Sequence, residues 1–144
     1  MVEFGEFLSV ALMETLSMFG LCVEHNSTIV SETLSSSSDV NVVLGFTGDA
    51  RGSIVIAFPK KTASVISAIM IGSEEINFMA KSAFAELSNM IAGAAISKSP
   101  RLVNLTPPSV VAGENISLMI SRVKSTNMEF NLNGSPITVA FAME

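Results

Sequence analysis

Residues 78–97, FMAKSAFAELSNMIAGAAIS, contain the pattern that decides the fold. Their apolar positions recur every three or four residues, at Ala80, Phe84, Leu87, Ile91 and Ala94. This spacing places the side chains on one face of a helix, which the following KSP at residues 98–100 ends. Asn77 lies just before the segment, where an asparagine side chain acts well as an N-cap. The sequence therefore predicts a long amphipathic helix over residues 78–97.

A helix of the same kind is predicted near the N-terminus, over residues 3–20. Its buried stripe consists of Phe4, Phe7, Leu8, Ala11, Leu12, Thr15, Leu16 and Phe19. Gly20 stands where a glycine commonly ends a helix. A shorter helix is predicted between Pro59 and Gly72, since proline favours a helix start and glycine a helix end.

Runs of β-branched and aromatic residues predict strands in the rest of the chain. They cover residues 22–30, 40–46, 53–58, 109–112, 116–123, 128–132 and 137–141. The serine run SSSSD at residues 35–39 and the glycine-rich residues 48–52 are predicted to be connections between strands. Asn133-Gly134 predicts a tight hairpin turn between the last two strands.

The order of these elements repeats, because a long helix followed by strands occurs twice. Aligning Glu14 with Glu86 also aligns Leu8 with Ala80. The sequence therefore predicts an α+β fold in which two long amphipathic helices pack on a largely antiparallel sheet, with an internal pseudo-two-fold repeat. At 144 residues, a single domain over residues 1–144 is expected.

The composition restricts the classes of partner. Charged residues make up 15% of the chain, against a usual share of roughly a quarter, so we expect apolar surface that is covered by self-association. The net charge is −5 and the 8 basic residues form no stripe, which argues against nucleic acid. An acidic N-terminus and the absence of any apolar run of about 20 residues predict a cytoplasmic protein without membrane insertion.

The inventory of reactive side chains also excludes several kinds of site. One histidine, His25, and one cysteine, Cys22, cannot form a Cys/His metal cluster, so no metal site or cofactor of its own is expected. Cys22 is interpreted as a small buried apolar residue and His25 as an ordinary exposed or core histidine. Residues 45–52 are rich in glycine but lack the Gly-Lys-Ser/Thr ending of a phosphate-binding loop, and they favour a hairpin turn.

The candidate site lies on the helix over residues 78–97. Ser82, Glu86, Asn89 and Gly93 form one stripe opposite its apolar face. Asparagine and glycine are poor helix formers, glycine by about 1 kcal/mol relative to alanine, and Ala85 beside them is also small. A merely solvated face gains nothing from such residues, whereas a face that another protein approaches closely does.

The same short pattern, Glu-x-x-Asn, occurs a second time at residues 74–77, EEIN. That copy lies in the connection before the helix, where Asn77 is explained as the N-cap. Only the copy at residues 86–89 is held on a helix, so the sequence assigns the candidate chemistry to Glu86 and Asn89.

Residues 82–93, SAFAELSNMIAG, resemble the Asp/Ser-x-x-x-Glu-x-x-Asn signature of the CheX/CheC/FliY family of response-regulator phosphatases. Two further segments, GFTGDARGSI at residues 45–54 and TPPSVVAGE at residues 106–114, resemble landmarks of the CheX branch in the same order. The resemblance extends over residues 40–114 and agrees with the fold predicted above.

The resemblance implies that the protein hydrolyses the aspartyl phosphate of a CheY-like response regulator by inserting this helix into the regulator's active site. Asn89 would hold the attacking water and Glu86 would pair with the regulator's active-site lysine. Ser82, Ala85 and Gly93 would line the contact with the partner. The resemblance further implies a homodimer, and a regulator that brings its own Mg²⁺.

One departure from the family pattern concerns the first helix, where CheC-type members carry a second complete motif. This chain has only Glu14-x-x-Ser17 there, which implies one active site per chain. Two alternatives stay open: a non-catalytic interaction domain resembling the central domain of flagellar switch proteins, and a small-molecule-binding regulatory domain. Glu86 with Asn89 argues against the first, and no convergent polar cluster supports the second.

Overall fold

The computed structural model describes residues 2–144, which form three helices and seven strands. In chain order the elements are α1 (Val2–Ser17), β1 (Glu24–Ser31), β2 (Leu34–Gly48), β3 (Gly52–Phe58), α2 (Lys60–Ile71), α3 (Phe78–Lys98), β4 (Val103–Leu105), β5 (Ser109–Ser121), β6 (Ser125–Leu132) and β7 (Ser135–Met143). α1 ends three residues before the predicted boundary, because residues 18–20 form a turn in which Gly20 has a φ of 79°.

All seven strands belong to one antiparallel sheet in the order β1-β6-β7-β3-β2, and β4 and β5 share the outer edge of β2. The turn between β6 and β7 is the predicted one, since Asn133 and Gly134 have φ values of 49° and 88°. Both residues therefore have the positive φ that a type I′ hairpin turn requires.

The strand order contains the predicted repeat. Exchanging β1 with β5, β2 with β6 and β3 with β7 reverses the order of the strands and preserves their pairing. Under this exchange the pair β1–β6 becomes β5–β2, and the hairpin β2–β3 becomes β6–β7. β3 and β7 pair with each other at the centre. α1 and α3 are the corresponding helices, while α2 and β4 have no counterpart in the described chain.

The main core lies between the helices and one face of the sheet. α3 packs against both α1 and α2. The core includes Leu8, Leu12, Leu16, Val42, Leu44, Ile54, Ile56, Phe84, Leu87, Ile91, Phe130 and Val139. Because side chains alternate along a strand, Val55 and Ala140 point to the other face, where they join a smaller apolar cluster with Leu34. The helices thus stand on a sheet that is itself buried on both faces near its centre.

The predicted connection at residues 35–39 is wrong, because this serine run lies inside β2 and pairs with β5. Its backbone supplies the ladder hydrogen bonds, and the side chains of Ser36, Ser37 and Asp39 have hydrogen-bond partners. Asn41 is fully buried and accepts a hydrogen bond from the Ser36 hydroxyl, while its amide donates to the carbonyl groups of Ser38 and Val111. A polar run can therefore continue a strand where its side chains are satisfied.

Two further strand boundaries differ from the sequence-based ones. Residues 109–112 and 116–123 were expected to be separate strands, but β5 continues through residues 113–115. The break in pattern marks a register shift opposite Asp39, where Asn115 adopts a φ of 46°. β4 was not expected at all, since three residues carry no periodicity, and it forms only because it pairs with the end of β2.

The turn between β2 and β3 is fixed to the segment that follows α3. The Asp49 carboxylate accepts a hydrogen bond from Leu102 N at 3.0 Å, and Asp49 N donates to the Leu102 carbonyl at 2.9 Å. Gly48 has a φ of 125°, and a Cβ there would stand 2.6 Å from the Leu102 oxygen, so only glycine fits. Gly45 N also donates to the Thr106 hydroxyl at 2.8 Å. The hydrogen bond between Gly45 and Thr106 joins the two landmark segments at residues 45–54 and 106–114.

Candidate functional site

The N-terminal end of α3 is held as the sequence predicts. The Asn77 side chain accepts a hydrogen bond from Ala80 N at 2.9 Å, and this confirms the N-cap. Before it, Gly72 ends α2 with a φ of 73°, and the Ser67 hydroxyl donates to the Ser73 carbonyl at 2.6 Å. The asparagine of the Glu-x-x-Asn pattern at residues 74–77 is therefore a helix cap. The helix that carries the other pattern, at residues 86–89, starts at a defined position.

α3 has a buried face and an exposed one. The buried face consists of Ala80, Phe84, Leu87, Ser88, Ile91, Ala92 and Ala95. On the other side Ser82, Glu86 and Asn89 are exposed, and Ala85 and Gly93 are half-buried. The structure thus brings all five predicted site residues together on one side of one helix, which we call the α3 stripe.

The α3 stripe is compact and its charged group is uncompensated. Glu86 and Asn89 are three residues apart, so they are neighbours on the helix surface, separated by about 4.5 Å along its axis. The one ion pair among residues 2–144 joins Lys98 to Glu14 at 3.6 Å. No cation of the described chain therefore neutralises the Glu86 carboxylate, which leaves it available to a cation on another molecule.

Gly93 is not required by the packing of the chain itself. A Cβ built at this position would meet no atom within 4 Å. Alanine would fit there and would be about 1 kcal/mol more favourable in a helix. The glycine therefore costs stability without relieving any internal contact, as expected of a surface that another molecule approaches closely.

The corresponding helix α1 presents a different surface. Its exposed positions are Glu3, Glu6, Val10, Glu14 and Ser17. Glu14, which aligns with Glu86 in the repeat, forms the ion pair with Lys98 at the end of α3. Among these exposed residues of α1 there is no amide side chain, so α1 lacks the second half of the pair that α3 carries.

Asp39 supports the region beside α3 and was not identified from the sequence. Its carboxylate accepts hydrogen bonds from Asn115 N at 2.8 Å and from Lys60 N at 2.7 Å. These bonds hold the pKa of the Asp39 carboxyl below its ordinary value. Pro59 makes no side-chain cap for α2, so Asp39 takes that role from another strand. No local pattern could indicate this, because the partners lie 21 and 76 residues away.

Two other residues, Ser88 and Cys22, lie outside the α3 stripe and need separate description. The Ser88 hydroxyl is buried and, within residues 2–144, has no hydrogen-bond partner. Its position on the core face of α3 separates it from the α3 stripe. Cys22 is exposed, so the interpretation of it as a buried apolar residue is wrong; Leu21 and Val23 on either side take the buried positions.

The described residues offer neither a cluster of metal ligands nor a membrane-spanning helix. In the described chain, no three His, Cys, Asp or Glu side chains converge in a group that could hold a metal ion. None of the helices formed by residues 2–144 has the length and apolar character needed to span a membrane.

Comparison with known sequences gives two matches. The sequence profile of a family described as chemotaxis phosphatase CheX matches residues 40–131. The CheY-P phosphatase CheX of Thermotoga maritima is 40% identical over 82 aligned positions, and the match covers 53% of this chain and 53% of that protein. The alignment therefore spans about half the length of this relative.

Solved structures extend the likeness to nearly the whole chain. A chemotaxis protein CheX from Desulfovibrio desulfuricans superposes with a TM-score of 0.88 and 26% identity, covering 99% of each chain. The CheX chain of a CheX-CheY-BeF3-Mg²⁺ complex from Borrelia burgdorferi gives a TM-score of 0.82 and 23% identity, covering 98% of this chain and 97% of that one. At 23% identity, the likeness to the chain from Borrelia burgdorferi shows a shared fold.

Proposed function

Since this chain belongs to the CheX family of chemotaxis phosphatases, we propose that it hydrolyses the aspartyl phosphate of a CheY-like response regulator. The observation that carries the proposal is the exposed α3 stripe, with Glu86 and Asn89 on a capped helix and small residues around them. The CheX of Thermotoga maritima, to which the chain is 40% identical over part of its length, is a CheY-P phosphatase.

Asn89 is proposed to hold the attacking water in line with the phosphorus atom. Its amide can both donate and accept hydrogen bonds, and it is neutral, so it adds no negative charge beside the phosphoryl group. Phosphoryl transfer depends mainly on positioning and on stabilising charge. A side chain held on a rigid helix suits the positioning of the water, while the regulator's own groups stabilise the charge.

Glu86 is proposed to pair with the lysine of the regulator's active site. The carboxylate is exposed and has no cationic partner within residues 2–144. A carboxylate–lysine contact at an interface mainly fixes the orientation of the two proteins and the choice of partner. It would therefore determine where Asn89 stands relative to the phosphoryl group.

Ser82, Ala85 and Gly93 are proposed to let the regulator approach the helix closely. Two of them have at most a methyl group as side chain, and a Cβ at Gly93 would point into open space. A partner loop can therefore come within van der Waals distance of the backbone of α3 at these positions. This contact would allow the Asn89 amide to reach a buried phosphoryl group.

We propose that the regulator supplies the Mg²⁺ that this reaction uses. Residues 2–144 contain no group of carboxylates and imidazoles that could hold the ion, and the Borrelia burgdorferi complex contains CheX, CheY, BeF3 and Mg²⁺ together. The reaction then takes place in the cytoplasm, where a regulator of this class is phosphorylated. The protein contributes a water-positioning side chain to an active site that is otherwise the partner's.

The direct experiment measures loss of acyl phosphate from a panel of phosphorylated response regulators, with and without the protein, at saturating Mg²⁺. Faster loss from at least one regulator is expected. Binding without faster loss would instead favour the non-catalytic interaction domain. If the protein binds no member of the panel and speeds the loss of phosphate from none, the phosphatase and the interaction-domain hypotheses are both contradicted.

We further propose that two copies of the chain form a dimer through β1. This strand lies at one edge of the sheet, and its residues 24–30 are all exposed, including Ile29 at 61% and Val30 at 65%. Because neighbouring side chains point to opposite faces, neither face of β1 is covered. An unpaired edge with exposed apolar residues is a surface that natural proteins usually cover.

Such a dimer would keep two independent sites. β1 pairs with β6 at one end of the sheet, whereas α3 packs on β2, β4 and β5 at the other. Light scattering should give a dimer mass, and replacing Ile29 and Val30 by lysine should give a monomer mass. Titration should saturate at two regulators per dimer; a monomer of the unaltered protein, or saturation at one, would contradict this arrangement.

A further inference from the structure

Phe78 is an aromatic residue in an unexpected place. It is the first residue of α3 and is 81% exposed. Burial of an aromatic side chain is among the largest apolar contributions available to a protein, and this ring makes almost none within its own chain. Met79 beside it is also exposed. Exposed apolar groups of this size next to a functional surface indicate a contact with another molecule.

The position of Phe78 on the helix relates it to the α3 stripe. At 100° per residue, Phe78 lies about 40° from Ser82 and about 20° from Asn89 around the axis. With a rise of 1.5 Å per residue, it stands about 12 Å from Glu86 along the axis. Phe78 therefore extends the α3 stripe by one more position toward the N-terminal end of the helix.

Phe78 is also held firmly, unlike a residue at a frayed helix end. Asn77, immediately before it, caps α3 through the hydrogen bond from Ala80 N at 2.9 Å. Ala80, two residues later, is fully buried in the core. The backbone that presents the ring is thus fixed on both sides, so the ring can form a contact at little additional entropic cost.

Interface size connects Phe78 to the partner proposed above. A stable interface buries about 800 Å² on each protein, which corresponds to a patch roughly 30 Å across. A regulator centred on Glu86 therefore covers surface to about 15 Å on either side, and Phe78 lies within that distance. Ser82, between them, is too small to keep the partner away.

Resting on the proposed function, we propose that Phe78 is an affinity and specificity contact that packs against an apolar surface of the same phosphorylated regulator. That surface would lie about 12 Å from the lysine that Glu86 contacts. Buried aromatic rings are among the residues that most often dominate binding energy at interfaces. Regulators with an apolar group at this place would be preferred over those with a polar one.

The test compares Phe78→Ala with Leu102→Ala. Leu102 is 82% exposed, so the two changes remove equally exposed apolar side chains. Leu102 follows Lys98, which is about 18 Å along the helix axis from Glu86. For each variant, kcat and KM are measured with a phosphorylated regulator that the unaltered protein dephosphorylates. Kd is measured with the same regulator carrying beryllofluoride and Mg²⁺, which resembles the phosphorylated state but is not hydrolysed.

Phe78→Ala should raise KM and Kd about tenfold, the effect of a typical aromatic anchor. It should change kcat less than about twofold, because the ring acts on binding and not on the reacting atoms. Leu102→Ala should leave all three constants within about twofold. Phe78→Leu should recover part of the affinity. The melting temperature of Phe78→Ala should equal that of the unaltered protein.

Several outcomes would overturn the role of Phe78. If the unaltered protein hydrolyses the phosphate but Phe78→Ala keeps its KM and Kd, the inference fails and the proposed function stands. A fall in kcat at constant KM, or a change in the mass of the protein alone, would also overturn it. If the unaltered protein neither binds nor dephosphorylates any regulator, the proposed function fails, and the role of Phe78 fails with it.

Discussion

α1 and α3 stand in equivalent places in the two halves of the molecule, yet they present different chemistry to the outside. The exposed positions of α1 include Glu3, Glu6 and Glu14, and none of its exposed side chains is an amide. α3 presents one carboxylate, Glu86, with the amide of Asn89 one turn away. Both helices bury the same kind of apolar stripe against the sheet.

This difference bears on the contact with a phosphoryl group that we propose for α3. Glu3 and Glu6, together with a Glu14 that Lys98 partly compensates, make this surface negative, which repels a phosphoryl group. A single carboxylate with a neutral amide avoids most of that repulsion. The fold therefore places a helix in each half, and under the proposed function the exposed side chains favour the second half for contact with the phosphate.

The largest expected effect tests the amide directly. Asn89→Ala should reduce hydrolysis by more than about 100-fold, since loss of a precisely placed group commonly costs that much. Its stability should not fall, because an exposed helical position accepts alanine readily. Activity is measured as loss of acyl phosphate and stability by thermal unfolding. A variant that keeps more than a few per cent of the activity would contradict the role of Asn89.

Asn77→Ala is the matched control, because Asn77 is the asparagine of the other Glu-x-x-Asn copy. It should lower the free energy of unfolding by about 1 kcal/mol through loss of the N-cap. Hydrolysis per folded molecule should be unchanged. A specific catalytic defect would mean that the copy at residues 74–77 carries the function.

The next effect compares the two glutamates that align in the repeat. Glu86→Ala should raise Kd for a beryllofluoride-loaded regulator about tenfold, since it removes a charge contact at the centre of the interface. Glu14→Ala removes only an exposed ion pair with Lys98, worth a few tenths of a kcal/mol. Its Kd should stay within about twofold of the original. Equal losses for the two variants would show that α1 also takes part in docking.

A smaller effect is expected from adding a methyl group to the α3 stripe. Gly93→Ala should raise the free energy of unfolding by about 1 kcal/mol, because alanine favours the helix and fits the space. It should nevertheless weaken regulator binding about fivefold, because overpacking a close contact costs about 1 kcal/mol. Ser17→Ala at the end of α1 should change neither affinity nor hydrolysis. A more stable Gly93 variant with unchanged affinity would contradict close approach at this position.

The smallest effect concerns α2, the helix without a counterpart. Asp39→Ala should lower the free energy of unfolding at pH 7 by about 1 kcal/mol, allowing for solvent screening of its two hydrogen bonds. The pKa of the Asp39 carboxyl is lowered in the folded protein, so its stabilisation is present above the unfolded pKa of about 4. It is lost as pH falls through the folded pKa.

Unfolding curves of the Asp39→Ala variant and the unaltered protein should therefore converge in acid. Hydrolysis at pH 7 should be unchanged per folded molecule. A stability difference that persisted at low pH would show that uncharged contacts of Asp39 matter more than its carboxylate.

The sequence predicted those features that depend on neighbouring residues. The helices, the Asn77 cap and the Asn133-Gly134 turn follow from local periodicity and backbone preference, and the structure confirms them. The exposure of Glu86 and Asn89 follows in the same way from helical spacing. Their roles in hydrolysis remain predictions, because they depend on a second protein.

Features that depend on distant partners could not be predicted. The serine run at residues 35–38 becomes a strand only because β5 lies beside it. Asp39 acts as a cap only because α2 and the Asn115 turn are brought to it. Cys22 is a different case, because three adjacent residues could each have been buried, and it is Leu21 and Val23 that face the core.

The pairing of β1 with β6 has a consequence for how the chain folds. Of the six strand pairings, only the hairpins β2–β3 and β6–β7 join consecutive strands. β1 pairs only with β6, so the partner of Thr28 is Met128, which is synthesised much later. During synthesis from the N-terminus, the first strand therefore has no final neighbour until β6 has left the ribosome, whereas the first helix needs only α3. Closing such long loops is slow, and the exposed edge of β1 makes that waiting period the time at which the chain is most prone to aggregate.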